Sequence, residues 1–133
     1  MGENKREQAF LALFEASFHS DDIDYIAENE KEESRMSAAA LKEAQSVCKY
    51  LNEIDEMIKS NLKAWDIRRI SKVALAAMRL AIFEMVYDES IPAGAAVNEA
   101  VELCKKYSSE DEASFVNGVL RAVSGGMTAG SMQ

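Results

Sequence analysis

The segment from Ile67 to Tyr87, IRRISKVALAAMRLAIFEMVY, limits the fold more than any other part of this 133-residue chain. Ile67, Ile70, Val73 to Met78, Leu80 to Phe83, Met85 and Val86 leave few polar positions on any helical face. A helix that is apolar nearly all round has to be wrapped by other elements. Spanning a membrane would take about 20 apolar residues, and Arg79 and Glu84 interrupt the run before that length is reached. No Gly or Pro weakens its helical propensity, and Ala74, Ala76, Ala77 and Ala81 let neighbouring helices approach closely. The segment is therefore expected to form the central core helix.

Helical spacing elsewhere supplies the wrapping. Lys5 to Phe18 sets Ala9, Phe10, Leu13, Phe14 and Phe18 on one face, three and four residues apart. Asp21 or Asp22 can cap a short helix from Ile23 to Glu30, with Ile23, Ile26 and Ala27 inward. Glu28 to Arg35 is nearly all charged and reads as a solvated connection. A long helix from Ser37 follows, with Leu41, Ala44, Val47, Cys48, Leu51, Ile54, Met57, Ile58 and Leu62 in near-heptad spacing. So short a heptad run more often packs inside its own chain than in a coiled-coil dimer. Trp65 is expected to plug the next corner, and Asp66 to cap the central helix. Pro92 suits the start of a helix running Ala93 to Tyr107, with Ala96, Val97, Ala100, Val101 and Cys104 inward. The last helix, Glu112 to Val123, carries Phe115, Val116, Val119 and Leu120. No strand pattern occurs, so the expectation is an all-α fold of six helices. Residues 1–124 form one expected domain, and the Gly- and Ser-rich residues 125–133 a disordered tail.

Composition removes several classes of chemistry. One histidine, His19, cannot build a metal site, and neither a CxxC, an HExxH nor a Gly-rich phosphate loop is present. No catalytic constellation, metal or cofactor is expected. Cys48 and Cys104 lie in separate helical patterns, and with no signal peptide a reducing cytoplasm and free thiols are expected. The net charge of −8 argues against a general nucleic-acid binder, since phosphates need clustered cations. The charge is uneven, however. Residues 1–62 hold 7 Lys/Arg against 14 Asp/Glu, while residues 63–133 hold 8 against 9, so the second half has room for a cationic face.

Three stretches carry a resemblance: NLKAWDIRRISKVALAAMRLAIFEM, then IPAGAAVNEAVELCKKY, then SSEDEASFVNGVL. With REQAFLALFEASF near the start, they resemble the bacterial transcription antitermination factor NusB family over most of Arg6 to Val123, least in the acidic stretch from Asp21 to Met36. The resemblance implies an all-helical fold of two packed three-helix bundles with no enzymatic activity. It implies binding to the boxA sequence of nascent ribosomal RNA transcripts together with the ribosomal protein NusE, within the RNA polymerase antitermination complex. Some members form homodimers, so a homodimer that masks the RNA site is one alternative. A second is an accessory module for an RNA methyltransferase supplied by another chain, because the same fold occurs attached to such enzymes.

Carried over residue by residue, the resemblance points to Lys5, Arg6, Phe14, Asp111 and Phe115 as RNA-binding positions, and Arg69, Lys72, Lys105 and Lys106 are added as the remaining cationic candidates. The family's arginine-rich entry arm is reduced to Lys5 and Arg6, with Gly2, Glu3 and Asn4 before them, which implies fewer phosphate contacts and a shallower salt dependence. Phe14 and Phe115 could stack unpaired bases and Asp111 could accept from a base amino group; core packing for the rings and helix capping for Asp111 compete with those roles. Arg68 joins Arg69, Lys72, Lys105 and Lys106 as a candidate for a phosphate-facing patch. Ala74 stands where the family commonly has an acid. Gly118 and Asn117 are expected to serve packing, and Arg79, Glu84 and Glu99 to form a buried ion cluster.

Overall fold

The computed structural model describes residues 4–30, 36–62, 66–88 and 90–131. The corner assigned to Trp65, most of the charged connection and the positions of Gly2 and Glu3 lie outside the described residues. Those residues form seven α-helices, one 3₁₀ turn and no strand, so the all-α class holds. The chain divides into two compact units, residues 1–51 and 52–133.

In the first unit, α1 (Lys5–Ala16), α2 (Ile23–Glu30) and α3 (Ala38–Lys49) pack pairwise. Asn4 opens α1 by accepting from the Glu7 N–H at 2.7 Å, which satisfies one of the donors a helix start leaves unpaired. Buried Ala9, Ala12 and Ala16 of α1, with Ala40 and Ala44 of α3, keep that pairing close, while Phe10, Leu13 and Val47 supply volume. The helix stops at Ala16, before the expected Phe18, because Ser20 and Asp21 turn into the left-handed region at φ 55° and 60°. Asp22, not Asp21, caps α2 by accepting from the Tyr25 N–H at 3.1 Å.

The long helix expected from Ser37 is two helices, which is why the count exceeds six. Tyr50 leaves helical geometry at φ −109°, ψ 19°, and its N–H bonds back to Val47 in a tightened last turn. The next helix, α4 (Leu51–Ser60), follows at once and buries Ile54 and Ile58. The apolar repeat runs through this break without a gap, so periodicity alone could not register it.

In the second unit, α5 (Lys72–Tyr87) is the central helix and packs on α6 (Ala93–Tyr107) and α7 (Glu110–Ser131). Every residue from Ala76 to Glu84 is buried. Its cap differs from expectation. Asp66 caps the 3₁₀ turn Ile67–Arg69, where its carboxylate accepts from the Arg68 N–H and guanidinium at 2.6–3.1 Å. Ile70 then returns to extended backbone, and Ser71 caps α5 through the Ala74 N–H at 3.0 Å. In α6 the buried position is Leu103 and not Val101, which is half-buried. The last helix runs through Gly125 and Gly126 to Ser131, past Val123 where it was expected to end and into residues assigned to a tail. Glycine costs a helix only about 1 kcal/mol relative to alanine, and no proline follows to stop it.

Two packing expectations fail. A Cβ on Gly118 would meet nothing within 4 Å, so this glycine admits no neighbouring helix. Asn117 accepts from the Arg121 side chain at 3.0 Å on the exposed side of α7. The buried Arg79 has a partner outside the expected Arg79/Glu84/Glu99 set: Asp55 of α4, held bidentately at 2.9 and 2.8 Å.

Candidate nucleic-acid interface

Ser71 and the first turn of α7 set up the candidate site. The hydroxyl of Ser109 accepts from the Glu112 N–H at 3.1 Å and starts α7. That leaves Asp111 without the capping role that competed for it, and Asp111 is exposed. One turn further along, Phe115 lies on the same side of the helix. It is half-buried, while Ala113, Val116, Val119, Leu120 and Val123 form the buried face. Across from them stand Arg69 and Ile70 at the end of the 3₁₀ turn, then Ser71 and Ala74 at the start of α5. Together they enclose a cleft of about 330 Å³ lined by Arg69, Ile70, Ser71, Ala74, Asp111, Glu112 and Phe115. Three residues predicted from sequence, Arg69, Asp111 and Phe115, thus meet at one site.

A guanidinium, two carboxylates, a serine and an aromatic ring suit a nucleobase better than a phosphate. Carboxylates accept from base amino and imino groups, the ring offers a stacking surface, and the arginine can meet a flanking phosphate or stack in turn. Arg68 is committed elsewhere: it holds the Asp66 carboxyl down to about 2, through its side-chain and then its backbone hydrogen bond. Arg69 beside it is exposed and faces the cleft.

The other predicted cations are spread more widely. Lys72 is exposed on the first turn of α5, next to Ser71. Lys105 lines a second cleft of about 300 Å³ between α6 and α7, with Asn98, Glu110, Asn117 and Arg121, and pairs with Glu102 at 3.6 Å. Lys106 lies over the Tyr107 ring at 5.3 Å. In the first unit, Lys5 pairs with Glu43 of α3 at 3.8 Å and Arg6 is half-buried. Phe14 is also half-buried, in a ladder with Phe10 at 6.4 Å and Phe18 at 5.1 Å. Phe18 is 59% exposed.

Sequence reading passed over Ser71, Glu112 and Arg121, and it set Phe18 on the apolar face of the first helix, whereas Phe18 lies beyond the end of α1 and is exposed. For Glu112 a signal was present, since Ser109 and Glu112 have the spacing of a capping box. Among the described residues no group of His, Cys, Asp and Glu could hold a metal ion, and no helix is long and apolar enough to cross a membrane. Neither cysteine forms a disulfide. Burial first, then the charge of Glu112, pushes the Cys104 thiol up to about 12. At pH 8 a neutral alkylating reagent is therefore expected to label half-buried Cys48 and leave Cys104 intact until the chain is unfolded; mass mapping of the alkylated cysteines checks this.

Fold and cleft together describe an all-helical protein with a polar and aromatic cleft at the start of its last helix. The model of the NusB family matches residues 3–125. The "Transcription antitermination protein NusB" of Clostridium botulinum (strain Loch Maree / Type A3) is 38% identical, the match covering 86% of this chain and 93% of that one. Two solved structures share the fold. "Crystal Structure of a Plectonemic RNA Supercoil" has a TM-score of 0.82 at 29% identity, over 93% of this chain and 94% of that chain. "Crystal Structure of Antitermination Factors NusB and NusE in complex with dsRNA" has a TM-score of 0.77 at 30% identity, over 90% and 92%. The chain belongs to the NusB family, whose relatives named above are transcription antitermination proteins.

Proposed function

We propose that this chain works in the cytoplasm as an RNA-binding antitermination factor. Its ligand is boxA-like RNA of ribosomal RNA operon transcripts, bound together with ribosomal protein NusE in the RNA polymerase antitermination complex. The observation that supports this reading best is the cleft where Arg69, Asp111 and Phe115 converge, which offers stacking, amino-group acceptance and one cation to a single unpaired base. The solved complex of NusB and NusE with dsRNA supports NusE and RNA as partners. Lys5, Arg6, Phe14, Lys72, Lys105 and Lys106 are assigned to flanking nucleotides, each as a separate contact. With so few cations, NusE adds the charge and the second attachment that this chain supplies sparingly.

Binding of a boxA-like and a scrambled RNA, each with and without NusE, tests the proposal. The boxA-like RNA is expected to bind more tightly than the scrambled one, and NusE to tighten it further. Because single strands lose about 0.7 in log K per log unit of salt for each neutralised phosphate, the slope without NusE is expected to be shallow. Equal and negligible affinity in all four mixtures would overturn the proposal.

A further inference from the structure

Glu112 does not sit where its sequence pattern would leave it. In a capping box the glutamate three residues after the capping serine turns back on its own helix start. Here its Oε1 accepts from the Ser71 hydroxyl at 2.7 Å, 41 residues away in sequence, and also from the Ser108 hydroxyl. Ser71 caps α5 and Ser108 is the C-terminal cap of α6, so a single carboxylate oxygen on α7 joins the ends of three helices. Ser71 uses its hydroxyl both ways, accepting from the Ala74 N–H and donating to Glu112, which fixes the hydroxyl proton towards α7. The carboxylate also faces the N-terminal ends of α5 and α7, where negative charge is favoured.

The Ser71–Glu112 bond spans the cleft. Arg69, Ile70, Ser71 and Ala74 form one wall; Asp111, Glu112 and Phe115 form the other. We infer that Glu112 is a positioning residue for RNA: by clamping Ser71 and Ser108 it sets the distance between the walls, so that Arg69 on one side and Asp111 and Phe115 on the other engage the same nucleotide. The inference rests on the RNA-binding function proposed above. Base contact is assigned to Asp111 and Phe115, and Glu112 acts through them.

The test uses the full chain as parent, Glu112→Ala and Glu112→Gln, with a boxA-like RNA as probe. Affinity is measured against salt, and amide hydrogen exchange is followed at Ala74 in the free proteins. Glutamine keeps an oxygen that can accept from both serines; alanine keeps none. Glu112→Ala is expected to lose about tenfold in affinity, because the RNA must then restore a wall spacing that charge-assisted hydrogen bonds held in the parent, with an unchanged salt slope because Glu112 itself touches no phosphate. Exchange at Ala74 is expected to accelerate in Glu112→Ala, and Glu112→Gln to recover most of both effects. Parent-like RNA affinity in a folded Glu112→Ala would overturn the assignment, and so would a glutamine variant as weak as alanine. If the parent itself binds no RNA, the proposed function falls and this role falls with it. Accelerated exchange in Glu112→Ala would then leave the clamp standing as a purely structural device, which separates the two failures.

Discussion

Replacing Asp55 by alanine is expected to destabilise the protein by about 3–5 kcal/mol, the cost of removing one member of a buried, hydrogen-bonded ion pair. The Arg79 side chain is only 9% exposed and sits in the most apolar helix of the chain, with Asp55 at 21% as its bidentate counter-ion. Water cannot readily replace a two-pronged contact at that depth, so the penalty exceeds that of a surface pair, which is about 1 kcal/mol or less. Urea unfolding should show a lower midpoint with an unchanged slope. The double variant Asp55→Leu/Arg79→Met should recover most of the loss, because an apolar pair of similar volume needs no counter-charge. A loss below about 1 kcal/mol for Asp55→Ala would mean that Arg79 finds another partner on relaxing.

The second large effect concerns recognition. Phe115→Ala is expected to weaken binding of boxA-like RNA by about 1–3 kcal/mol, the usual worth of one base stacked on an aromatic ring. Stability should fall by less than the roughly 3–5 kcal/mol typical of a core phenylalanine. Phe10, at 1% exposure, provides the comparison: Phe10→Ala should cost the full core penalty. Filter binding alongside thermal unfolding separates the outcomes. A Phe115→Ala protein that unfolds as readily as Phe10→Ala but still binds RNA would make the ring a packing residue.

The central helix was legible because burial on every side leaves a compositional trace, and Ile67 to Tyr87 shows it without reference to any partner. Asp111 and Phe115 were legible through the FVNGVL stretch and its neighbours, and the cleft brings them together with Arg69. What escaped was whatever depends on geometry between segments. Tyr50 interrupts a helix whose apolar repeat continues undisturbed, and no residue there announces a break. Asp55 carries no local sign of its pairing, since nothing near it in sequence reveals an arginine 24 positions on. Asp66 was a sound capping residue, but it caps a 3₁₀ turn, and Ser71 takes the place expected for it. Gly118 suggested close packing by its type alone; its surroundings are open.

The pairing of Asp66 with Arg68 changes how adjacent arginines should be counted. Arg68 is neutralised within its own turn, and only Arg69 faces the cleft. With Arg69 the one arginine of the pair that faces the cleft, the base-reading contacts add little to counter-ion release, and the salt dependence of RNA binding should instead track the flanking contacts assigned to Lys5, Arg6, Lys72, Lys105 and Lys106.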